Sequence, residues 1–237
     1  VTAICPSRGL FFAKTMQCVW EQLKNIPGAE LIIVSGRPIP EAQNEAVIKA
    51  SLTKNELFFF FEEDMEIPPF TLETMIHLLM QYPKVDGVVV DYPVGNHYST
   101  ICHKDNKILW FGFGCTLLKR SVFERISEPW FETDKTLKIT DLNHMEYIVD
   151  DTPAKYGGHD ILFGLKCRKA KINIAEISEI QANQLKLTEF GKVGFNDGFH
   201  QIEQLKGIDK YQNYFSKKGG IKNEFSAPRV YNNTASG

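Results

Sequence analysis

The chain has 237 residues, 43% of them hydrophobic and 24% charged, with a formal net charge of −2 and a pI near 6.3. That composition excludes a disordered chain and supports one large α/β core or two small domains. It also excludes a global electrostatic pull toward nucleic acid or anionic membrane, and no apolar run approaches the roughly 20 residues of a membrane span.

Thr2–Cys5 reads as a first strand. No basic stretch and long apolar core precede it, so a secretory leader is not expected. Phe11–Lys24 is an amphipathic helix closed by Pro27-Gly28, Leu31–Val34 a strand, and Pro40–Ser51 a helix. Leu57–Phe61 is a short, aromatic-rich apolar run, the pattern of a strand buried on both faces. It stops at Glu62-Glu63-Asp64, and Met65-Glu66-Ile67 leads to Pro68-Pro69. Proline suits the first turn of a helix, and Leu72, Met75, Ile76 and Leu79 share one face of the helix that follows. Val85–Val90 is the next strand. This alternation predicts βαβ units and a mainly parallel sheet.

Beyond Asp91 the pattern changes. Ile108–Leu118 is strand-like but interrupted by Gly112 and Gly114. Glycine within a strand marks either a ligand near the backbone or a bulge packed on a neighbour. Trp110, Phe111, Phe113, Trp130 and Phe131 could form a ring platform for a sugar or base, or pack a core. Residues Glu132–Thr152 are polar and are expected to form a long loop. Ile161–Lys169 is helical and Lys171–Ile177 a strand. From Lys186 onward there are eight Lys/Arg, five Asp/Glu and eight aromatics. This marks a less regular extension with short helical pieces such as Phe199–Lys206.

The five cysteines, Cys5, Cys18, Cys102, Cys115 and Cys167, form no CxxC pair. An odd number without metal spacing fits buried thiols in a reducing, cytoplasmic setting. Asn232-Asn233-Thr234 matches a glycosylation tripeptide, a pattern common by chance.

Two acidic features carry candidate chemistry. Three adjacent carboxylates repel unless a cation or polar ligand offsets them. Glu62-Glu63-Asp64 therefore reads as a site where oxygen ligands hold a divalent metal shared with phosphate, or as a solvated acidic turn favoured by a helix dipole. In Tyr156-Gly157-Gly158-His159-Asp160, Asp160 opens a helix. It is either a cap or a general base for an acceptor hydroxyl.

The order of these pieces resembles glycosyltransferases of the GT-A fold, family-2 type, over residues 1–180. Pro6-Ser7-Arg8-Gly9 is similar to the nucleotide-loop opening after the first strand. Ala42-Gln43-Asn44-Glu45-Ala46 resembles the "ARN" segment, with Gln43 where arginine is usual. Phe58–Pro69 resembles the "ffDDDm-pp" segment, which puts Glu62 and Asp64 on the two positions of the DxD metal motif. Asp91-Tyr92-Pro93 matches the strand end that follows. Gly112-Phe113-Gly114-Cys115 resembles the strand lining the donor sugar, Pro129-Trp130-Phe131 a common "PWF" element, and Tyr156–Asp160 the "GGED" segment. Family members often carry a late histidine as a third metal ligand. Here Gln181-Ala182-Asn183-Gln184 occupies that place, leaving His200, Asn183, Gln184 or phosphate oxygens to complete the site. Tyr214–Gly220 resembles an ending found in some phage-type members.

The resemblance implies an α/β, GT-A (Rossmann-like) catalytic domain over residues 1–185. Residues 186–237 then form a C-terminal lid or acceptor-binding arm. It implies a hexosyltransferase-type enzyme with a UDP-sugar donor and Mn²⁺ or Mg²⁺ at Glu62 and Asp64. Pro6, Arg8, Asn44, Glu63, Asp64, Gly112, Gly114 and Trp130 would contact the donor, and Asp160 would be the inverting general base. Glu66, and Glu63 in its other reading, are solvated neighbours. The acceptor is a glycan or small hydroxyl compound, or a hydroxymethylated base in phage-like DNA gripped by the Lys-plus-aromatic extension. A nucleotidyltransferase and a non-catalytic binding module are the alternative readings. The first normally needs a longer glycine- and lysine-containing loop than Pro6–Gly9. The second is motivated by Gln43, Glu62 and His159.

Overall fold

The computed structural model describes residues 1–94, 98–104, 107–132, 136–141, 146–150, 158–185 and 230–231. The elements in chain order begin β1 (Thr2–Ser7), α1 (Ala13–Leu23), β2 (Glu30–Ser35), α2 (Ile39–Ser51), β3 (Leu57–Phe61), β4 (Met65–Glu66) and α3 (Thr71–Gln81). Then come β5 (Gly87–Asp91), β6 (Pro93–Val94), β7 (Tyr98–Ser99), β8 (Ile101–Lys104), β9 (Lys107–Phe111), β10 (Cys115–Lys119) and α4 (Ser121–Arg125). The last are β11 (Thr136–Asp141), β12 (Glu146–Asp150), α5 (His159–Lys169), β13 (Ile174–Gln181), β14 (Asn183–Gln184) and β15 (Val230–Tyr231).

The central sheet has seven strands in the order β15-β13-β5-β10-β3-β1-β2. β1 pairs in parallel with β2 and β3, and β5 with β13. β10 runs antiparallel between β3 and β5, and β15 antiparallel beside β13. The sheet is therefore mostly parallel, as the alternation of strands and helices predicts.

The phenylalanines of β3 explain its central place. Phe58, Phe59, Phe60 and Phe61 are all fully buried. Strand geometry sends alternate side chains to opposite faces. Phe58 and Phe60 join Ala42, Ala46, Val47 and Ala50 of α2, while Phe59 and Phe61 join Cys18 and Val19 of α1 and Leu72 and Met75 of α3. Each buried ring contributes about 1.5–3 kcal/mol relative to exposure, so only a strand with helices on both faces suits this run.

Of the rings expected to serve either a ligand or the core, Phe111, Phe113, Trp130 and Phe131 serve the core. Phe131 stacks on Phe163 with centroids 4.9 Å apart, and Phe113 meets Phe131 edge-on at 4.9 Å.

Three expectations are corrected. The run Ile108–Leu118 is two strands, β9 pairing with β8 and β10 entering the central sheet, joined across Gly112–Gly114. The strand expected at Lys171–Ile177 starts later, at Ile174, and reaches Gln181. The long loop expected over Glu132–Thr152 contains the β11–β12 hairpin, with Thr136 opposite Asp150. Leu137 and Ile139 alternate with Lys138 and Thr140, a period-2 signal that the polar composition of the segment obscures. The helical piece expected at Phe199–Lys206 lies outside the described residues.

Candidate active site

The carboxyl ends of parallel strands form the edge where open α/β sheets take ligands, and β1 and β3 both deliver polar loops there. At the tip of β3 the three acids part company. Glu63 is 5% exposed and turns back to the loop after β1. Its Oε2 accepts the Ser7 hydroxyl at 2.5 Å and the Arg8 backbone N–H at 2.6 Å, and its Oε1 accepts Arg8 Nε at 2.5 Å. Gly9 N–H donates to Ser7 Oγ at 2.8 Å, and Phe12 N–H to the Glu63 carbonyl at 3.1 Å. Glu63 therefore fastens the β1–α1 loop and is not a solvated neighbour. Glu66 is not solvated either: it is 6% exposed, with Lys14 Nζ 3.5 Å from its Oε1.

Asp64 and Glu62 stay outside the hydrogen bonds of that clamp, and each feels the Arg8 charge. Asp64 is 8% exposed. Its Oδ2 accepts Gln184 Nε2 at 3.2 Å and lies 3.7 Å from Arg8 Nη2. Its Oδ1 is buried and has no hydrogen-bond partner. Burial raises the Asp64 carboxyl above its usual range, opposed by the Arg8 charge and the Gln184 hydrogen bond. Glu62, half-buried, is pushed up to about 8 by burial, then by the charges of Asp64 and Asp160, with Arg8 opposing.

The charges of Asp64 and Asp160 both act on Glu62, so carboxylates from the β3–β4 turn and from α5 influence one another. Asp160 sits in the first turn of α5, a third exposed, with His159 Nε2 3.5 Å from its Oδ1. Gly158, at φ +90°, makes the turn into the helix, a backbone angle that costs glycine little and other residues more. Tyr156 and Gly157 lie outside the described residues.

Tyr92, which the sequence places only at a strand end and in a segment expected to shape the acceptor pocket, is buried here. It is 3% exposed, and its hydroxyl accepts the Gly114 N–H at 2.9 Å. Burial, then the charges of Glu62 and Asp160, raise its phenol well above the usual range. A methyl group built on Gly112 would lie 2.3 Å from Tyr92 Oη, and one on Gly114 2.6 Å from Tyr92 Cζ. The two glycines thus make room for a tyrosine ring, where the resemblance implies a donor sugar. Paired glycines two apart in a strand-like run are the sequence signal for such a large neighbour.

Of three other expected donor contacts, Asn44 and Trp130 lie away from these acids. Pro6 is buried within β1. Asn44 Nδ2 donates to the Phe131 carbonyl at 2.8 Å, and its Oδ1 accepts the backbone N–H of Trp130 at 3.0 Å and of Phe131 at 3.1 Å. The Trp130 indole N–H donates to the Phe123 and Ile126 carbonyls at 3.0 and 3.1 Å. Asn44 and Trp130 thereby fix the Pro129–Phe131 loop on α2. They line a cleft of about 280 Å³ with Ile48, Glu128 and Pro129, and none of Glu62, Asp64 or Asp160 lines it.

Among the described residues, no three His, Cys, Asp or Glu side chains are grouped to hold a metal by themselves. A divalent cation still fits the tip. The orphaned Asp64 Oδ1 and half-buried Glu62 are hard oxygen donors, and such ions commonly complete their shells with phosphate and water.

No family model and no curated protein matches the chain. Solved structures do match its fold. One is A197 from STIV, 17% identical with a TM-score of 0.56 over 78% of this chain and 85% of that one. Another is GalNAc-T7 determined with UDP, GalNAc and Mn²⁺, 8% identical with a TM-score of 0.53 over 79% of this chain and 44% of that one. The fold is accordingly that of GT-A glycosyltransferases, a mixed α/β architecture with a central, mostly parallel sheet flanked by helices.

Proposed function

We propose that the chain is a glycosyltransferase of hexosyltransferase type. In this reading it moves a sugar from a nucleoside diphosphate donor, a UDP-sugar, to an acceptor hydroxyl with inversion. The observation that carries it is the buried, unpartnered Asp64 Oδ1 two residues from Glu62 on the turn that follows the third strand, with Asp160 in the first turn of the fifth helix. The likeness to GalNAc-T7, itself crystallised with UDP and Mn²⁺, supports the same reading.

Glu62 and Asp64 would hold Mn²⁺ or Mg²⁺, which supplies positive charge where the departing diphosphate becomes negative. Asp160 accepts the proton of the acceptor hydroxyl as that oxygen bonds to the anomeric carbon. The bond from that carbon to the diphosphate oxygen breaks, and the electron pair leaves with UDP. Arg8, held by Glu63, presents a guanidinium beside the leaving group. Tyr92, buried against Gly112 and Gly114, would help to exclude water from this side of the site.

The acceptor in this reading is a glycan or other hydroxyl compound. The hydroxymethylated-base alternative rests on the Lys- and aromatic-rich stretch from Lys186, which lies outside the described residues except at Val230–Tyr231. All five cysteines are free, in keeping with a reducing, cytoplasmic setting. Among the described residues no helix is long and apolar enough to cross a membrane.

The test is UDP release from a panel of UDP-sugars with Mn²⁺ present. Asp64→Asn should abolish it, and Asp160→Asn should slow it about 10²–10⁴-fold. Turnover unchanged in both variants, or no donor raising the melting temperature, would leave a binding module instead. Release of pyrophosphate from a nucleoside triphosphate and a sugar phosphate would make the chain a nucleotidyltransferase. Loss of all duplex DNA binding at low salt removes the DNA acceptor.

A further inference from the structure

Asp64 has one carboxylate oxygen in use and one idle. Oδ2 takes the Gln184 amide at 3.2 Å and has Arg8 Nη2 at 3.7 Å, while the buried Oδ1 has no partner. A buried acceptor left unpaired costs about 1–3 kcal/mol, so an idle oxygen beside a second acid points to something absent that would bind there. Gln184 reaches this spot by design of the backbone. β14 pairs antiparallel with β4, Gln184 opposite Met65 and Asn183 opposite Glu66, which anchors the amide one residue from Asp64. A glutamine amide carries a donor nitrogen and an acceptor oxygen on one planar group. Turning it over exchanges the two ends without moving the backbone.

We propose that Gln184 is a ligand of the divalent cation, offering its amide oxygen beside Asp64 Oδ1 and Glu62, and that it sets the site's preference for hard ions. This rests on the cation of the proposed transferase. Without the cation the amide nitrogen donates to Asp64 Oδ2, as observed, and shields its charge. With the cation the amide oxygen turns inward. The donor set is then two carboxylates and a neutral carbonyl, oxygen throughout, which suits Mn²⁺, Mg²⁺ and Ca²⁺. An imidazole at the same position would favour Zn²⁺, Ni²⁺ and Cu²⁺. Among the described residues no trio of His, Cys, Asp or Glu is grouped to hold a metal, which is compatible with a third protein ligand of another type.

The experiment titrates Mn²⁺ alone into the full chain and reads the free ion by electron paramagnetic resonance, with Zn²⁺ as competitor. Gln184→Ala should weaken Mn²⁺ binding about tenfold, the low end of what a displaced coordinating partner costs. Gln184→Glu should tighten it. Gln184→His should shift preference from Mn²⁺ toward Zn²⁺ by about tenfold or more and add nitrogen coupling to the bound Mn²⁺ signal. Should the alanine variant fail to fold, the glutamate and histidine variants decide. Wild-type Mn²⁺ affinity in Gln184→Ala, an unmoved preference in Gln184→His, or no Mn²⁺ uptake by the wild-type chain overturns the proposal. UDP release is followed in parallel. Shifted metal affinity with no UDP release sinks the transferase and keeps Gln184 as ligand. UDP release with unchanged Mn²⁺ dependence in Gln184→Ala does the reverse.

Discussion

Glu62 and Glu63 are adjacent and chemically identical, yet their neutral isosteres should move stability in opposite directions. Glu63 is 5% exposed and accepts three hydrogen bonds, two of them at 2.5 and 2.6 Å on one oxygen. In Glu63→Gln one of its oxygens becomes an NH₂ group. That group faces either the Ser7 hydroxyl and Arg8 N–H, or Arg8 Nε, so donor meets donor in both orientations. The Arg8 side chain is 59% exposed, so its ion pair adds little after solvent screening, and the backbone and hydroxyl bonds carry the loss. A hydrogen bond to a charged acceptor is worth about 1.5–3 kcal/mol. For a domain of this size each kcal/mol moves Tm by about 2–4 °C. Glu63→Gln is therefore expected to melt about 3–12 °C below wild type by circular dichroism. It should also raise the KM for a UDP-sugar, because the Ser7–Gly9 loop loses its anchor. A variant melting within a degree of wild type would mean that Glu63 does not fasten that loop, and the division of labour among the three acids would be wrong.

Glu62→Gln should do the opposite without metal. The folded chain holds the Glu62 carboxyl up to about 8, above its unfolded value. Wild-type stability is then greatest where both states are protonated and falls as pH rises through the window from the unfolded value to about 8. Glu62→Gln should flatten that fall and melt above wild type at pH 9, and added Mn²⁺ should stabilise wild type but not the variant; a steeper fall in the variant refutes the assignment. Asp160→Asn should keep the wild-type melting temperature within a few degrees and lower kcat about 10²–10⁴-fold, the range for removal of a general base; a KM effect alone would make Asp160 a binding residue. Gly112→Ala forces a methyl group to 2.3 Å from Tyr92 Oη and should cost about 1–3 kcal/mol in urea unfolding. Adding Tyr92→Phe should recover part of that loss, whereas strict additivity would show that the two do not touch.

The chain discloses its fold more readily than its site because the two are written in different patterns. Leu57–Phe61 ends as a strand on the residues that composition and burial dictate, since five apolar side chains admit no solvated face. The β11–β12 hairpin was hidden because polar or charged residues occupy six of its eleven strand positions. For the candidate site, residue type and the family resemblance proposed Glu62, Asp64 and Asp160, but neither gave direction. Three consecutive acids at a turn do not say which one points inward, and Glu63 is decided by Ser7 and Arg8, 56 and 55 residues away. Asn44 and Trp130 looked like ligand contacts because amides and indoles serve in both roles. Only the backbone carbonyls they satisfy distinguish the two uses.

The antiparallel placement of β10 has a consequence for how the chain is made. β3 and β5 are synthesised well before residues 115–119, yet both await that strand as a neighbour. Until it emerges, a ribbon of four successive phenylalanines has one open flank, an aromatic, uncharged edge of the kind that joins chains together. Fragments ending before Cys115 should therefore precipitate on expression, while those extending past Lys119 gain a sealed centre.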